Sequence, residues 1–181
     1  MPNRPDREVQ CEGLLQALPP ETEPVCDSRG DVKNKIFVCI RGTHHDGHAD
    51  AAEVLRRGAA AIVTQRKTGL PREITVPDTR LAMALLSARY WGNPAGELRL
   101  IGITGTNGKT TTAHLLCHLL HSAGIKTGRI GTDGMAWGEK HLPNPYTTPP
   151  PDLLHRTLRQ MAGDGITAVV MEVSSQALVQ Q

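Results

Sequence analysis

Residues 103–111 read Ile-Thr-Gly-Thr-Asn-Gly-Lys-Thr-Thr, and this stretch decides how the sequence folds. The segment Leu98 to Thr104 is largely apolar and strand-like, and the segment Lys109 to Ala123 is helical in pattern. Glycines allow backbone N–H groups to close around phosphate oxygens, and the positive N-terminal end of the helix faces the same anion. The order of strand, glycine-rich turn and helix therefore predicts a mononucleotide-binding unit.

The glycine spacing departs from the general phosphate-loop pattern, which requires its first glycine at the position of Ile103. The alternative is an ordinary glycine turn that caps a helix. We favour a phosphate loop because a strand precedes the turn, a helix follows it, and Lys-Thr-Thr opens that helix. Lys109 would supply a mobile positive charge for the outer phosphates, and the hydroxyl of Thr110 suits a Mg²⁺ ligand.

A carboxylate stands at the end of a second apolar run. Thr167 to Val173 is almost wholly apolar apart from Glu172, as expected for a strand that is covered on both faces in a parallel sheet. Open α/β sheets bind ligands at the carboxyl ends of their strands. Alone, Glu172 would be a solvated strand-end residue, but beside a phosphate loop it is expected to hold Mg²⁺.

Apolar patterning elsewhere predicts a series of short elements and an α/β fold class. Strands are expected at 36–40, 60–63, 74–76 and 126–131, and helices at 49–57, 77–91 and 152–162. A hairpin or loop is expected at 133–142, and an extended proline-rich segment follows at 145–151. The break at Gly92-Asn93-Pro94 begins a linker that divides the chain into domains 1–97 and 98–181. The first is expected to be a small α/β domain, and the second the first part of a P-loop parallel-sheet domain.

Composition argues against several classes of function. Twenty Lys and Arg against 18 Asp and Glu give a net charge of +2, so no basic surface for nucleic acid is implied. Aromatic residues make up 3% of the chain, too few for a base-stacking platform. No apolar run is long enough to cross a membrane, and the N-terminus lacks the apolar core of a signal peptide. Four cysteines without a CxxC motif indicate reduced thiols and a cytoplasmic location.

The phosphate loop and several other markers resemble the Mur ligase family. Thr-Gly-Thr-Asn-Gly-Lys-Thr-Thr at 104–111 is the family's form of the loop, and Thr-Thr-Pro at 147–149 and Met-Glu-Val-Ser-Ser at 171–175 look like its next two markers. Asp-Ser-Arg at 27–29 and Asp-Gly-His at 46–48 resemble the N-terminal, uridine-binding domain of one branch. That branch is the UDP-N-acetylmuramoyl-tripeptide synthetases, the MurE-type ligases. The resemblance implies that domain 1–97 is the uridine-nucleotide-binding domain and that domain 98–181 is an incomplete ATP-binding domain.

The resemblance also implies an ATP-dependent ligase of peptidoglycan synthesis. ATP would phosphorylate the free side-chain carboxylate of D-Glu in UDP-MurNAc-L-Ala-D-Glu, and the amine of a third amino acid, usually a diamino acid, would attack the acyl phosphate. ATP and Mg²⁺ are the implied cofactors. The expected partners are this nucleotide-linked dipeptide and the third amino acid, with no nucleic acid, no membrane and a monomeric chain.

Site residues fall into three groups when the family's motifs are carried onto this sequence. Lys109 and Glu172 are expected to be catalytic, and Thr110 and Glu172 to hold Mg²⁺. The residues expected to bind ATP are Gly105, Thr106, Asn107, Gly108, Lys109, Thr110 and Thr111. The residues expected to bind the UDP-MurNAc-peptide are Cys26, Ser28, Thr43, His44, His45, Thr147, Thr148, Ser174 and Gln180.

Two features depart from the family. Gln176 stands where many relatives have histidine, which excludes any role that needs an imidazole. The sequence stops at Gln181, well short of a family member, so we expect a fragment that lacks the acceptor domain and has no ligase turnover alone. We also expect the strand Thr167 to Val173 to have an exposed apolar edge or face.

Two alternatives remain open at the level of the sequence. The chain could belong to a sister ligase such as a folylpolyglutamate or cyanophycin synthetase, although the segment Asp27-Ser28-Arg29 argues against this. It could also be a short product that binds a UDP-sugar or ATP without catalysis. The third amino acid is left open between lysine, meso-diaminopimelate and others.

Overall fold

The structure is a computed structural model in which residues 4–42 and 45–180 are described. The chain forms two compact units, the first ending at Tyr90 and the second beginning at Trp91. The division falls seven residues before the predicted boundary at 97/98, so the predicted linker 92–97 lies in the second unit. None of the helices in the described ranges is long and apolar enough to cross a membrane.

The first unit is built on a four-stranded parallel sheet in the order β1-β2-β3-β4. Its strands are β1 (Pro24–Val25), β2 (Ile36–Val38), β3 (Ala61–Thr64) and β4 (Glu73–Thr75). Its α-helices are α1 (Arg4–Leu15), α2 (Ala51–Arg56) and α3 (Thr79–Tyr90). This parallel α/β arrangement agrees with the predicted fold class.

Both faces of this sheet are covered, because successive side chains of a strand point to opposite sides. Ile36 and Val38 of β2 pack in a cluster with residues of α1 and α3, whereas Phe37 packs in a second cluster with residues of α2. Ile36, Phe37 and Val38 are fully buried. The sheet is therefore the middle layer of the unit, and its strand ends are free to carry loops.

Two elements of the first unit were not predicted from the sequence, namely α1 and the two-residue strand β1. Only Cys11 and Leu15 of α1 are buried among its described side chains, so its apolar periodicity is too sparse to indicate a helix. The helix predicted at 49–57 begins instead as a 3₁₀ turn over Gly47–Asp50, capped by the Asp46 side chain, which accepts a hydrogen bond from the His48 backbone N–H.

The second unit contains a five-stranded sheet in the order β5-β9-β6-β7-β8. Its strands are β5 (Arg99–Ile103), β6 (Thr127–Gly131), β7 (Gly134–Trp137), β8 (Lys140–Leu142) and β9 (Ala168–Glu172). Its α-helices are α4 (Lys109–Ser122), α5 (Pro151–Gly163) and α6 (Ser175–Gln180). β5, β9 and β6 are parallel, and β7 and β8 form the hairpin that was one of two options for 133–142.

The expectation that the β9 strand has an exposed edge or face is wrong. β9 lies between β5 and β6, pairs with both, and is buried at all five of its residues. The edge strand is β5, where Arg99, Leu100 and Gly102 are exposed. The reason is the crossover: β9 comes last of the strands in the chain but inserts between two strands that precede it.

Candidate functional site

The glycine-rich loop joins the end of β5 to the start of α4. Gly105 has φ of 149° and Gly108, the N-cap of α4, has φ of 79°, so both occupy backbone regions that side chains rarely adopt. Nζ of Lys109 donates a hydrogen bond to the carbonyl oxygen of Gly105 at 2.8 Å. The loop thus has the backbone of an anion cradle, with the lysine ammonium held over it.

Glu172 lies at the carboxyl end of β9, directly beside the end of β5, where Ile103 is its register partner. Only 1% of the residue is exposed. Its carboxylate accepts hydrogen bonds from the backbone N–H of Thr132 at 3.2 Å and from the Thr132 hydroxyl at 3.1 Å. Sheet order therefore brings the phosphate loop and this carboxylate to one edge of the sheet.

The partners of Glu172 are neutral, which makes its burial costly. Within the described ranges, no lysine, arginine or histidine forms an ion pair with Glu172. A buried carboxylate that lacks a positive partner is destabilising, and a divalent cation would offset that cost. Carboxylate and hydroxyl oxygens are the ligands that Mg²⁺ prefers, so Glu172 and the half-buried Thr110 at the start of α4 fit such an ion.

Three of the predicted substrate residues lie close to Glu172. The hydroxyl of Thr148 donates to the backbone carbonyl of Glu172 at 3.1 Å and accepts from the backbone N–H of Ser174 at 3.0 Å. The hydroxyl of Thr147 lies 3.5 Å from that of Thr132. The two loops that follow β8 and β9 are thereby joined, with their hydroxyl groups gathered around the carboxylate.

Thr132, which follows β6, was not among the predicted site residues although it contacts Glu172 twice. Asn144 was also missed: it is buried, and its side-chain amide donates to the carbonyl of Gly131 at 2.9 Å. The signal that pointed to Glu172, a polar residue at the carboxyl end of a parallel strand, applies equally to Thr132. It requires the knowledge that β6 is the neighbour of β9.

A second charged cluster lies at the same edge of the sheet. The side chain of Arg129 in β6 is 8% exposed and forms an ion pair with Asp133. Nε2 of His114 in α4 donates to the other oxygen of Asp133 at 2.7 Å. Burial alone would raise the pKa of Asp133, but the hydrogen bonds from Arg129 and His114 outweigh it and lower the pKa.

The first unit gathers part of the predicted uridine site around Asp50, a residue that the sequence did not single out. Nε2 of His45 donates to Oδ2 of Asp50 at 2.7 Å. The pKa of Asp50 is lowered, mainly by a hydrogen bond from the Ser28 hydroxyl and, against the opposing effect of burial, by that from His45. The guanidinium of Arg57 donates to the carbonyl oxygens of Ser28 and Gly30, which holds the 27–30 loop in place.

The remaining predicted residues are placed less completely. Cys26 is exposed, next to the loop that carries Ser28. Thr43 and His44 lie outside the described residues, and Gln180 is the last residue of α6. The roles of these four residues stay predictions.

Comparison with known proteins gives relatives of both units. Residues 103–181 match the family model of the Mur ligase middle domain. A UDP-N-acetylmuramoyl-L-alanyl-D-glutamate–2,6-diaminopimelate ligase from Geobacillus thermodenitrificans is 44% identical over 155 residues, which are 85% of this chain and 32% of that protein. The ligase of the same description from Bacillus licheniformis is 42% identical over 164 residues, which are 90% of this chain and 34% of that protein.

Solved structures give the same relationship. A diaminopimelate ligase of that description superposes with a TM-score of 0.75 at 30% sequence identity, over 87% of this chain and 33% of that one. A MurF ligase from Thermotoga maritima, solved in complex with ADP, superposes with a TM-score of 0.56 at 25% identity, over 86% of this chain and 33% of that one. The chain spans about a third of the length of the curated relatives it matches.

Proposed function

Because the chain belongs to the Mur ligase family, we propose that it carries the uridine-nucleotide domain and the first part of the ATP-binding domain of a MurE-type ligase. The reaction is the ATP-dependent addition of a third amino acid to UDP-MurNAc-L-Ala-D-Glu. The observation that carries the proposal is the meeting of the phosphate loop with the buried carboxylate of Glu172 at one edge of the sheet. The matched relatives that are described as diaminopimelate ligases support diaminopimelate as that amino acid.

The phosphate loop would hold the phosphates of ATP. Backbone N–H groups of residues 105–111 and the N-terminus of α4 are the anion donors. Lys109 now donates to the carbonyl of Gly105, and its long side chain can turn from that oxygen to the outer phosphates. In that position its positive charge would stabilise the phosphate that is transferred.

Glu172 and Thr110 would hold Mg²⁺. When bound, the ion would neutralise charge on the phosphates that the loop holds. Thr132 orients the Glu172 carboxylate through its two hydrogen bonds, so the position of a ligand oxygen is set before any ion arrives. The buried position of Glu172 also excludes water from competing for the carboxylate.

The uridine end of the substrate would bind the first unit, and its peptide end would bind the second. Ser28 and His45, both hydrogen-bonded to Asp50, are polar groups available to the nucleotide. The hydroxyls of Thr148 and Ser174 lie beside the Glu172 backbone, where a peptide carboxylate would meet the transferred phosphate. Positioning of these two reactants, together with neutralisation of the phosphate charge, would accelerate such a transfer.

Nucleotide binding by the 181-residue chain tests the ATP half of this proposal. Calorimetry with Mg·ADP is expected to give a measurable affinity that Lys109→Met weakens about tenfold, because one charge-assisted phosphate contact is lost. Lys67→Met, which removes an exposed lysine of the first unit, is the matched control and should leave the affinity unchanged. A wild-type chain that is folded and binds no ADP would refute the ATP site.

Titration with UDP tests the other half. The first unit should bind UDP, and Ser28→Ala should weaken that binding, whereas Lys109→Met should not.

Mixed with ATP, UDP-MurNAc-dipeptide and diaminopimelate, the chain alone is expected to form no tripeptide. Product formation would contradict this last expectation. A cytoplasmic location and a monomeric state remain predictions.

A further inference from the structure

Arg129 places a positive charge on the same face of the sheet as the Glu172 carboxylate. Arg129 and Gly131 are two residues apart on β6, so they point to the same side of the strand. A Cβ atom on Gly131 would overlap Oε1 of Glu172 and lie 3.3 Å from Oδ1 of Asp133. The carboxylates of Glu172 and Asp133 therefore face the same space, the one that Gly131 leaves empty.

The two carboxylates have different partners in that space. Asp133 accepts from the guanidinium of Arg129 and from the ring of His114, whereas the carboxylate of Glu172 accepts only from Thr132 among the described residues. Arg129 and Glu172 form no ion pair, although both are buried at the same edge of the sheet. The guanidinium of Arg129 thus pairs with Asp133 and not with Glu172.

We propose that Asp133 is a positioning residue for the cation site: by holding the guanidinium of Arg129, it keeps the carboxylate of Glu172 free to bind a divalent cation. This inference rests on the proposed function, because it concerns the same Glu172. It makes cation binding depend on Asp133, which is not among the predicted site residues. Without Asp133, the guanidinium of Arg129 would compete with the metal ion for the carboxylate of Glu172.

The physical reason is that a buried guanidinium does not remain without a partner. Loss of the Asp133 charge would leave Arg129 buried and unpaired, which is strongly unfavourable. Glu172 faces the same space and accepts from neutral donors only, so it is the carboxylate available to Arg129. An Arg129–Glu172 ion pair would occupy the oxygens that a metal ion needs.

His114 extends this arrangement to the phosphate-loop helix. It stands four residues after Thr110 and therefore lies on the same face of α4 as the predicted metal ligand. Its bond to Asp133 ties that face of α4 to the end of β6. The pair Asp133 and His114 thus adds a contact between the helix that carries Thr110 and the strand end that carries Arg129 and Asp133.

The test compares Asp133→Asn, Arg129→Met and the double variant in calorimetric titrations with Mg·ADP and with ADP in EDTA. Asp133→Asn should weaken Mg·ADP binding at least about tenfold and leave metal-free ADP binding within about twofold. The double variant removes the competing cation and should return Mg·ADP affinity to within about threefold of wild type. Equal losses with and without metal, or no recovery in the double variant, would overturn the proposal.

A crystal structure of Asp133→Asn decides the same point without a nucleotide. We expect the guanidinium of Arg129 to lie within ion-pair distance of the Glu172 carboxylate. An Arg129 side chain that keeps its present direction or turns to solvent would contradict the inference. Absence of ADP binding in every chain would refute the ATP site instead, while this structure would still report on Arg129. Thermal unfolding of the double variant, which buries no unpaired guanidinium, tests whether the fold is retained.

Discussion

At the scale of single residues, the proposed metal site of the second unit depends on one buried carboxylate, that of Glu172. Its burial brings no ion pair with a described residue, and among the described residues only Thr132 donates to the carboxylate. Such a group is costly to the apo protein and useful only when a cation arrives. Function and stability are therefore opposed at this residue.

We expect Glu172→Gln to reduce cation-dependent nucleotide binding without lowering stability. The amide oxygen can still accept from the backbone N–H of Thr132, and a neutral group is cheaper to bury than a carboxylate. Unfolding by denaturant should show a free energy that is unchanged or higher by about 1 kcal/mol. Calorimetry should show a loss of Mg²⁺-dependent ADP affinity of about tenfold or more. A variant that is less stable than wild type and still binds Mg·ADP normally would contradict both points.

Asp27 and Arg29 offer a titration that reports on the predicted uridine loop. The side-chain hydrogen bond from Arg29, assisted by its backbone N–H, lowers the pKa of Asp27 to about 2. Because the pKa is depressed in the folded state, the pair contributes to stability above about pH 4 and loses that contribution as pH falls toward 2. Both side chains are exposed, so the effect on total stability is small.

Carboxyl NMR titration should therefore show the pKa of Asp27 near 2 in the wild type and close to its ordinary value in Arg29→Gln. Arg56→Gln removes an arginine that pairs with Glu53 instead, and it should leave the Asp27 value in place. An ordinary pKa for Asp27 in the wild type would show that the 27–29 turn is not formed in solution.

At the scale of elements, the sequence predicted β5, the phosphate loop, α4 and β9, because each has a strong local pattern. Apolar runs and glycine spacing depend on neighbouring residues only, so they can be recognised in one segment. The order of the strands in the sheet depends on where each crossover connection places the next strand, and no local sequence pattern indicates that position. This is why β9 was predicted with an exposed edge and is found between β5 and β6.

The same distinction applies to the candidate site. Lys109, Thr148, Ser174 and Glu172 could be proposed from motifs. Thr132, Asp133 and Arg129 become visible only when β6 is known to lie beside β9. In the first unit, Asp50 was missed because its partner Ser28 lies 22 residues earlier in the chain and is brought to it by the fold.

Two glycines, one capping a helix and one inside a helix, should respond to alanine with opposite signs. Gly108 caps α4 at φ of 79°, where an L side chain is strained, so Gly108→Ala should lower the free energy of unfolding of the second unit by about 1–2 kcal/mol. Gly13 lies within α1, and a Cβ atom added there would meet no other atom within 4 Å, so Gly13→Ala should raise stability by up to about 1 kcal/mol. Denaturant unfolding measures both, and equal signs would contradict the assignment of Gly108 to the left-handed region.

At the scale of the whole molecule, each unit has its own apolar core, but the second leaves more apolar surface uncovered. β5 is an open edge, and Leu115 and Leu119 on α4 are 59% and 56% exposed. Unpaired strand edges and exposed leucines favour association. The chain spans about a third of the length of the relatives it matches.

A chain shortened to residues 1–163 tests how the units depend on their strands. The first unit should unfold as before, because its clusters contain no residue beyond Leu86. The second unit should lose its structure, because β9 is the only described strand that pairs with β5, and β9 is removed. Hydrogen exchange of backbone amides measures this, and protected amides in 99–137 of the shortened chain would contradict it.

The central position of β9 also determines when the second unit can fold during synthesis of the chain. β5, the phosphate loop and β6 leave the ribosome first, but the strand that joins them is made some 40 residues after β6 begins. Pairing at such sequence separation is slow, because a long loop must close before any ladder bond forms. Until Glu172 has been translated, β5 has no described strand partner, so we expect the nascent phosphate loop to bind nucleotide only after β9 has been made.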